Sequence, residues 1–147
     1  MNYLTFLETI RDTITGTTTG GTALSWYNEI CLEDEIELRT GTTYPAFFLV
    51  PIPFDLVDNH MARYACKIYM VDEVTRAPNY KETGASATKR IIVYNRMINY
   101  AQAFLQQLAD EYINDYPITI NPIVKWDANV DGIYFELVLT NAVVCLT

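Results

Sequence analysis

Basic residues, histidine and long apolar runs are all scarce in this sequence of 147 residues. Ten Lys and Arg stand against 18 Asp and Glu, a formal net charge of -8, and an acidic surface repels phosphate, which argues against ordinary groove binding of nucleic acid. No apolar run approaches the roughly 18 residues that a membrane span needs, and the start of the chain lacks the basic segment of a signal peptide. We therefore expect a soluble chain that is not secreted by a signal peptide.

The few cysteines and the single histidine do not form a reactive set. Cys31, Cys66 and Cys145 are too far apart for a CxxC-type metal or redox site, and an odd count is a poor disulfide framework. His60 precedes Cys66 by six residues across a predicted turn, and Cys66 falls on a predicted core face, where thiols are inert. We expect no catalytic residue, no cofactor and no metal site.

The apolar content is sufficient for one folded domain over residues 1–147. Half of the residues are apolar and 13% are aromatic. Leu4, Leu7, Ile10 and Ile14 recur at helical spacing, with Asn2 as the N-cap, so the chain opens with a helix that ends near Thr15. The uncharged, glycine-rich segment 16–22 is expected to be a flexible connection.

Several later segments are predicted strands. Residues 44–51 form a continuous apolar run between prolines, and in 64–72 the residues Tyr64, Cys66, Ile68 and Met70 share one face, as in a central antiparallel strand. Residues 118–126 and 133–144 are predicted to form a closing hairpin, with Asp131 and Gly132 in its turn.

One long helix is predicted over residues 90–112. The residues of its apolar stripe are Ile91, Tyr94, Ile98, Ala101, Leu105, Leu108 and Tyr112. The residues of its polar side are Asn95, Asn99, Gln102 and Gln106. A coiled coil is the alternative, but a helix that covers a sheet is favoured. The predicted fold is therefore α+β, an antiparallel sheet of about five strands with the N-terminal helix and the long helix packed on one face.

Residues 127–132 have the spacing of the first half of a calcium loop, three oxygen-bearing side chains two residues apart and then glycine. Position twelve, where a bidentate Glu closes the coordination sphere, is Val138, and the preceding residues resemble a strand rather than a helix. A polar hairpin turn is favoured over calcium binding.

Charge is distributed unevenly along the chain. Residues 61–100 hold seven basic and three acidic residues, whereas residues 1–60 hold two basic and nine acidic ones. The segment 73–89 is a long predicted loop, and such loops are usually functional or disordered. The basic segment either neutralises the acidic flanks within one subunit or pairs the loop of one subunit with the acidic edge of its neighbour. We expect the loop to be an arm between subunits. The predicted interface residues are Arg76, Tyr80, Lys81, Lys89, Glu33, Asp34 and Glu35.

The chain resembles a known family in the order of its elements. The run 44–51, the strand 64–72 ending in Met70-Val71-Asp72, the long helix and the last strand near Asn141 and Cys145 look like small tailed-phage virion proteins of the neck, which are related to tail terminators and head-tail connectors. Segment 73–89 is longer than expected for that family. The resemblance implies a structural protein without catalytic residues.

The same resemblance implies a homo-oligomeric ring of 6 or 12 subunits in the virion neck, assembled in the host cytoplasm. It would surround the DNA channel, contact portal, connector or tail proteins, and let genomic DNA pass without sequence-specific contact and without a membrane. The aromatic content, with 11 Tyr, 6 Phe and 2 Trp, is typical of interfaces. The alternative hypothesis is a small soluble ligand-binding or enzymatic α+β domain.

Overall fold

A computed structural model describes residues 2–26, 44–58, 61–73, 85–109, 117–123 and 130–142. These residues form an α+β fold of two helices and a mostly antiparallel sheet. The elements in chain order are α1 (Tyr3–Thr15), β1 (Thr18–Thr19), β2 (Thr22–Ala23), β3 (Ser25–Trp26), β4 (Ala46–Pro51), β5 (Asp55–Leu56), β6 (Met61–Glu73), α2 (Ala85–Ala109), β7 (Asn121–Pro122) and β8 (Val130–Ala142).

Helix α1 begins and ends where the sequence predicts. The Asn2 Oδ1 accepts a hydrogen bond from the Thr5 backbone N at 2.8 Å, which satisfies one of the free amides of the first turn. The buried residues are Phe6, Leu7, Ile10 and Ile14. Leu4, the first residue of the predicted helical spacing, is exposed.

Segment 16–22 is not the flexible connection that its composition predicts. β1 and β2 pair as a tight antiparallel hairpin. Its turn residues, Gly20 and Gly21, have φ of 62° and 82°, the positive values that two-residue hairpin turns require. The glycines therefore serve a defined turn.

β6 is the central strand of the sheet, as predicted. One edge pairs with β8 along its whole length, from Met61 opposite Ala142 to Glu73 opposite Val130. The other edge pairs with β4 and then with β5. The strand order is β3-β4-β6-β8-β7, and β3 runs parallel to β4 while the other pairs are antiparallel.

The predicted turn at Asp131 and Gly132 is wrong. Both residues lie inside β8, opposite Asp72 and Val71 of β6. A Cβ at Gly132 would overlap the carbonyl oxygen of Met70 and lie 2.8 Å from the Cα of Val71, so glycine here permits a close approach of two strands. The two predicted arms do pair, because β7 lies antiparallel to β8.

Helix α2 begins earlier than predicted and buries a different stripe. The predicted loop 73–89 is shorter at both ends: residues 85–89 are helical, and Glu73 is the last residue of β6. The buried residues are Val93, Met97, Tyr100, Ala101, Phe104 and Leu108, a stripe rotated by roughly a quarter turn from the predicted one. Ile91 is exposed, whereas Tyr94, Ile98 and Leu105 are partly buried beside the core. The polar side faces outward as predicted.

The main core lies between the two helices and one face of the sheet. Alternate residues of β6 and β8 contribute to it, which confirms the predicted face: Tyr64, Cys66, Ile68, Met70, Ile133, Phe135, Leu137 and Leu139. A smaller buried cluster, including Phe48, Tyr69 and Val71, lies on the opposite face. Neither described helix is both long and apolar enough to cross a membrane.

Candidate assembly surfaces

The turn between β5 and β6 carries exposed apolar side chains at one end of the sheet. Leu56 is 73% exposed, and Val57 and Met61 are also exposed. The turn is hydrogen-bonded: the Val57 N donates to the Met61 carbonyl oxygen at 3.0 Å, and the Met61 N donates to the Asp58 Oδ1 at 2.9 Å. We call Leu56, Val57 and Met61 the tip patch.

Four aromatic rings support the base of this turn. Tyr3 of α1 stacks on Phe54, just before β5, with centroids 4.4 Å apart, and Phe6 stacks on Tyr64 of β6 at 5.3 Å. The Tyr3 hydroxyl donates to the carbonyl oxygen of Ala65 at 2.7 Å, and burial raises the pKa of Tyr3 to about 12. Offset aromatic pairs of this kind stabilise their contact by about 0.5–1.5 kcal/mol beyond burial. The tip patch therefore projects from a well-packed base.

A second exposed apolar surface lies in the first half of α2. Ile91 and Ile92 are 56% and 52% exposed, and Asn95 and Asn99 continue the same exposed side of the helix. We call Ile91 and Ile92 the helix patch. Apolar side chains of this size at neighbouring exposed positions depart from the polar character of a solvated helix face.

Two carboxylates and two arginines bind α2 to the sheet beside the helix patch. Asp72 and Asp131 are direct cross-strand neighbours, and both are buried. Arg90 donates from Nη1 to both carboxylate oxygens of Asp131 at 2.6 Å, and Arg96 donates to Asp72 Oδ2 at 2.5 Å. We call these four residues the carboxylate–arginine cluster. Its charges balance, so each buried carboxylate has a cation within contact distance.

Burial dominates the electrostatics of Asp131. It raises the pKa of this carboxyl above 3.8, while the charge and hydrogen bonds of Arg90 act in the opposite direction. Burial likewise raises the pKa of Tyr94, which faces the same ion pair. At Asp131 the effect of burial therefore exceeds the opposing effect of Arg90.

The other face of the sheet carries a polar and aromatic groove. Lys67 Nζ lies 4.6 Å from the ring centroid of Tyr134 and 5.5 Å from that of Tyr69, in cation–π geometry. Beside these residues is an open groove of about 290 Å³ lined by Pro117, Ile118, Thr119, Asn121, Tyr134, Glu136 and Val138. Among the described residues that line it, Glu136 is the one charged group.

The predicted interface residues lie almost entirely outside the described part of the chain. This holds for Arg76, Tyr80, Lys81, Glu33, Asp34 and Glu35, and Lys89 is described only as a backbone position of α2. His60, Cys31, Cys145 and Asp127 are outside it as well. Cys66 is buried as predicted, and burial raises the pKa of its thiol, so it remains protonated.

Asp131 is a strand residue rather than a turn residue, and residues 127–129 of the calcium-like segment lie outside the described part of the chain. Asp131 is buried in β8 with its carboxylate bound to Arg90. Within the described residues no group of three or more His, Cys, Asp or Glu is placed to hold a metal ion.

Sequence reasoning missed both patches and the carboxylate–arginine cluster, although signals for them exist. Asp72 continues the alternation of the core face of β6, which marks it as a buried charge in need of a partner. Ile91, Ile92 and Val93 are consecutive, and because successive helical residues are about 100° apart, three in a row cannot all face one core. The tip patch lies between acidic residues in a turn, an unusual position for apolar side chains.

Comparisons with protein-family models, with curated proteins and with solved structures find no match to this chain.

Proposed function

We propose that this protein is a structural subunit of a homo-oligomeric ring in the neck of a tailed phage, of the tail terminator or head-tail connector type, joining head to tail around the DNA channel. The α+β fold with two helices on one face of the sheet is consistent with the resemblance that suggested it. Self-association into 6 or 12 subunits, with portal, connector or tail proteins as neighbours, is part of this proposal.

The observation that carries the proposal is the position of the two apolar patches. The tip patch lies where β6 begins, and the helix patch lies over the residues where β6 ends. β6 has 13 residues, which corresponds to roughly 40 Å at about 3.3 Å per residue. A ring subunit needs two different surfaces, one for each neighbour, and the described residues place one exposed apolar patch near each end of β6.

The net charge of the chain supports a role in which the protein surrounds DNA without binding its phosphates. A net charge of -8 disfavours phosphate contacts, and each phosphate that a protein neutralises adds salt-sensitive affinity. A channel wall of this composition would let DNA slide. This feature is compatible with a neck ring in the virion.

The alternative function, a small ligand-binding or enzymatic domain, is favoured by the groove beside Tyr134. At about 290 Å³ it is at the lower limit of small-molecule sites, and it is open rather than enclosed. Of its described lining residues only Glu136 is charged, and the carboxylate–arginine cluster lies toward the helix side of the sheet instead. The groove therefore ranks below assembly.

Light scattering after size exclusion, combined with negative-stain electron microscopy, tests the proposal on the full chain. We expect a single high-mass species and ring-shaped particles with a central hole. A chain that remains monomeric up to millimolar concentration, or that forms only open filaments, would contradict the ring. A monomer that binds a metabolite would favour the groove.

A further inference from the structure

We draw no further inference here: the strongest candidate, the open groove beside Tyr134 and Glu136 of β8, carries nothing further, because Lys67 lies opposite Glu136 and nothing in the described part of the chain shows what covers the groove.

Discussion

At the scale of single residues, the ion pair between Arg90 and Asp131 is important for stability, and the sequence pattern does not predict it. Asp131 is 2% exposed, whereas Arg90 is one-third exposed. Removing the carboxylate leaves an arginine that can reach water, but removing the arginine leaves a buried carboxylate beside Asp72. Loss of Arg90 is therefore expected to lower the free energy of unfolding more than loss of the Asp131 carboxylate does.

We predict that Arg90→Met destabilises the fold by about 3 kcal/mol at neutral pH, the lower end of the range for a broken buried pair. The double variant Arg90→Met with Asp131→Asn should recover much of this loss, since it removes the uncompensated charge. Chemical denaturation measures both. The exposed pair of Arg11 and Asp12 provides the control, because Arg11→Met should change stability by less than about 1 kcal/mol. Equal losses for Arg11 and Arg90 would contradict this account.

We predict that the carboxyl of Asp131 titrates above 3.8 in the folded protein, because burial outweighs the attraction of Arg90. The folded state then binds this proton more tightly than the unfolded chain does. The contribution of the group to stability is complete below pH 3.8 and decreases as the pH rises through the raised pKa. The carboxyl carbon chemical shift of Asp131, followed against pH, measures it.

Arg90→Met should move this titration further upward, because the cation lowers the pKa. A midpoint below 3.8 in the wild type would show that the arginine, not burial, dominates at this carboxyl.

At the scale of elements, α2 shows how one sequence accommodates two overlapping apolar stripes. The expected stripe through Ile91 and Leu105 and the observed one through Val93 and Phe104 both follow steps of three and four. The observed rotation directs Arg90 and Arg96 to the carboxylates of the sheet and brings the Phe104 ring to 6.4 Å from Phe135. Tertiary contacts therefore determine which of the two apolar stripes of α2 is buried.

We predict that Phe104→Ala costs about 3–5 kcal/mol of unfolding free energy, since the ring is fully buried and its loss leaves a cavity. Ile91→Ala, on the same helix but exposed, should change the stability of the monomer by no more than about 0.5 kcal/mol. Thermal or urea unfolding of both variants under monomeric conditions distinguishes the stripes. A larger loss for Ile91→Ala than for Phe104→Ala would restore the stripe expected from the sequence.

At the scale of the whole molecule, stability is distributed unevenly over the sheet. The ladder between β6 and β8 extends over 13 residue pairs and lies against the main core. The hairpin of β1 and β2 has two residue pairs, forms a separate sheet and is largely exposed. Long paired strands open only when the whole domain unfolds, whereas short exposed hairpins open locally.

We predict that backbone amides in the middle of β6 and β8, such as those of Ile68 and Phe135, exchange with deuterium only at the rate set by global unfolding. Amides of the β1–β2 hairpin should exchange orders of magnitude faster. Hydrogen exchange followed by mass spectrometry or NMR measures both. Uniform protection across the two regions would show that the hairpin belongs to the same cooperative unit as the sheet.

The sequence by itself determined the features that depend on local pattern. Alternation marks the core face of β6, helical spacing marks both helices, and Asn2 marks the start of α1. These predictions hold because each depends on a repeat of two or of about 3.6 residues that the backbone imposes. The α+β class and the central antiparallel strand follow from the order of those elements.

Only the tertiary structure decided the positions where local signals are ambiguous. Asp131 and Gly132 have turn chemistry, but the long ladder with β6 and the ion pair with Arg90 keep them inside β8. The exposed patches at Leu56 and Ile91 likewise emerge only after the core has taken the other apolar residues. Burial is a property of the whole packed molecule, so no local pattern states which of several apolar residues will remain outside.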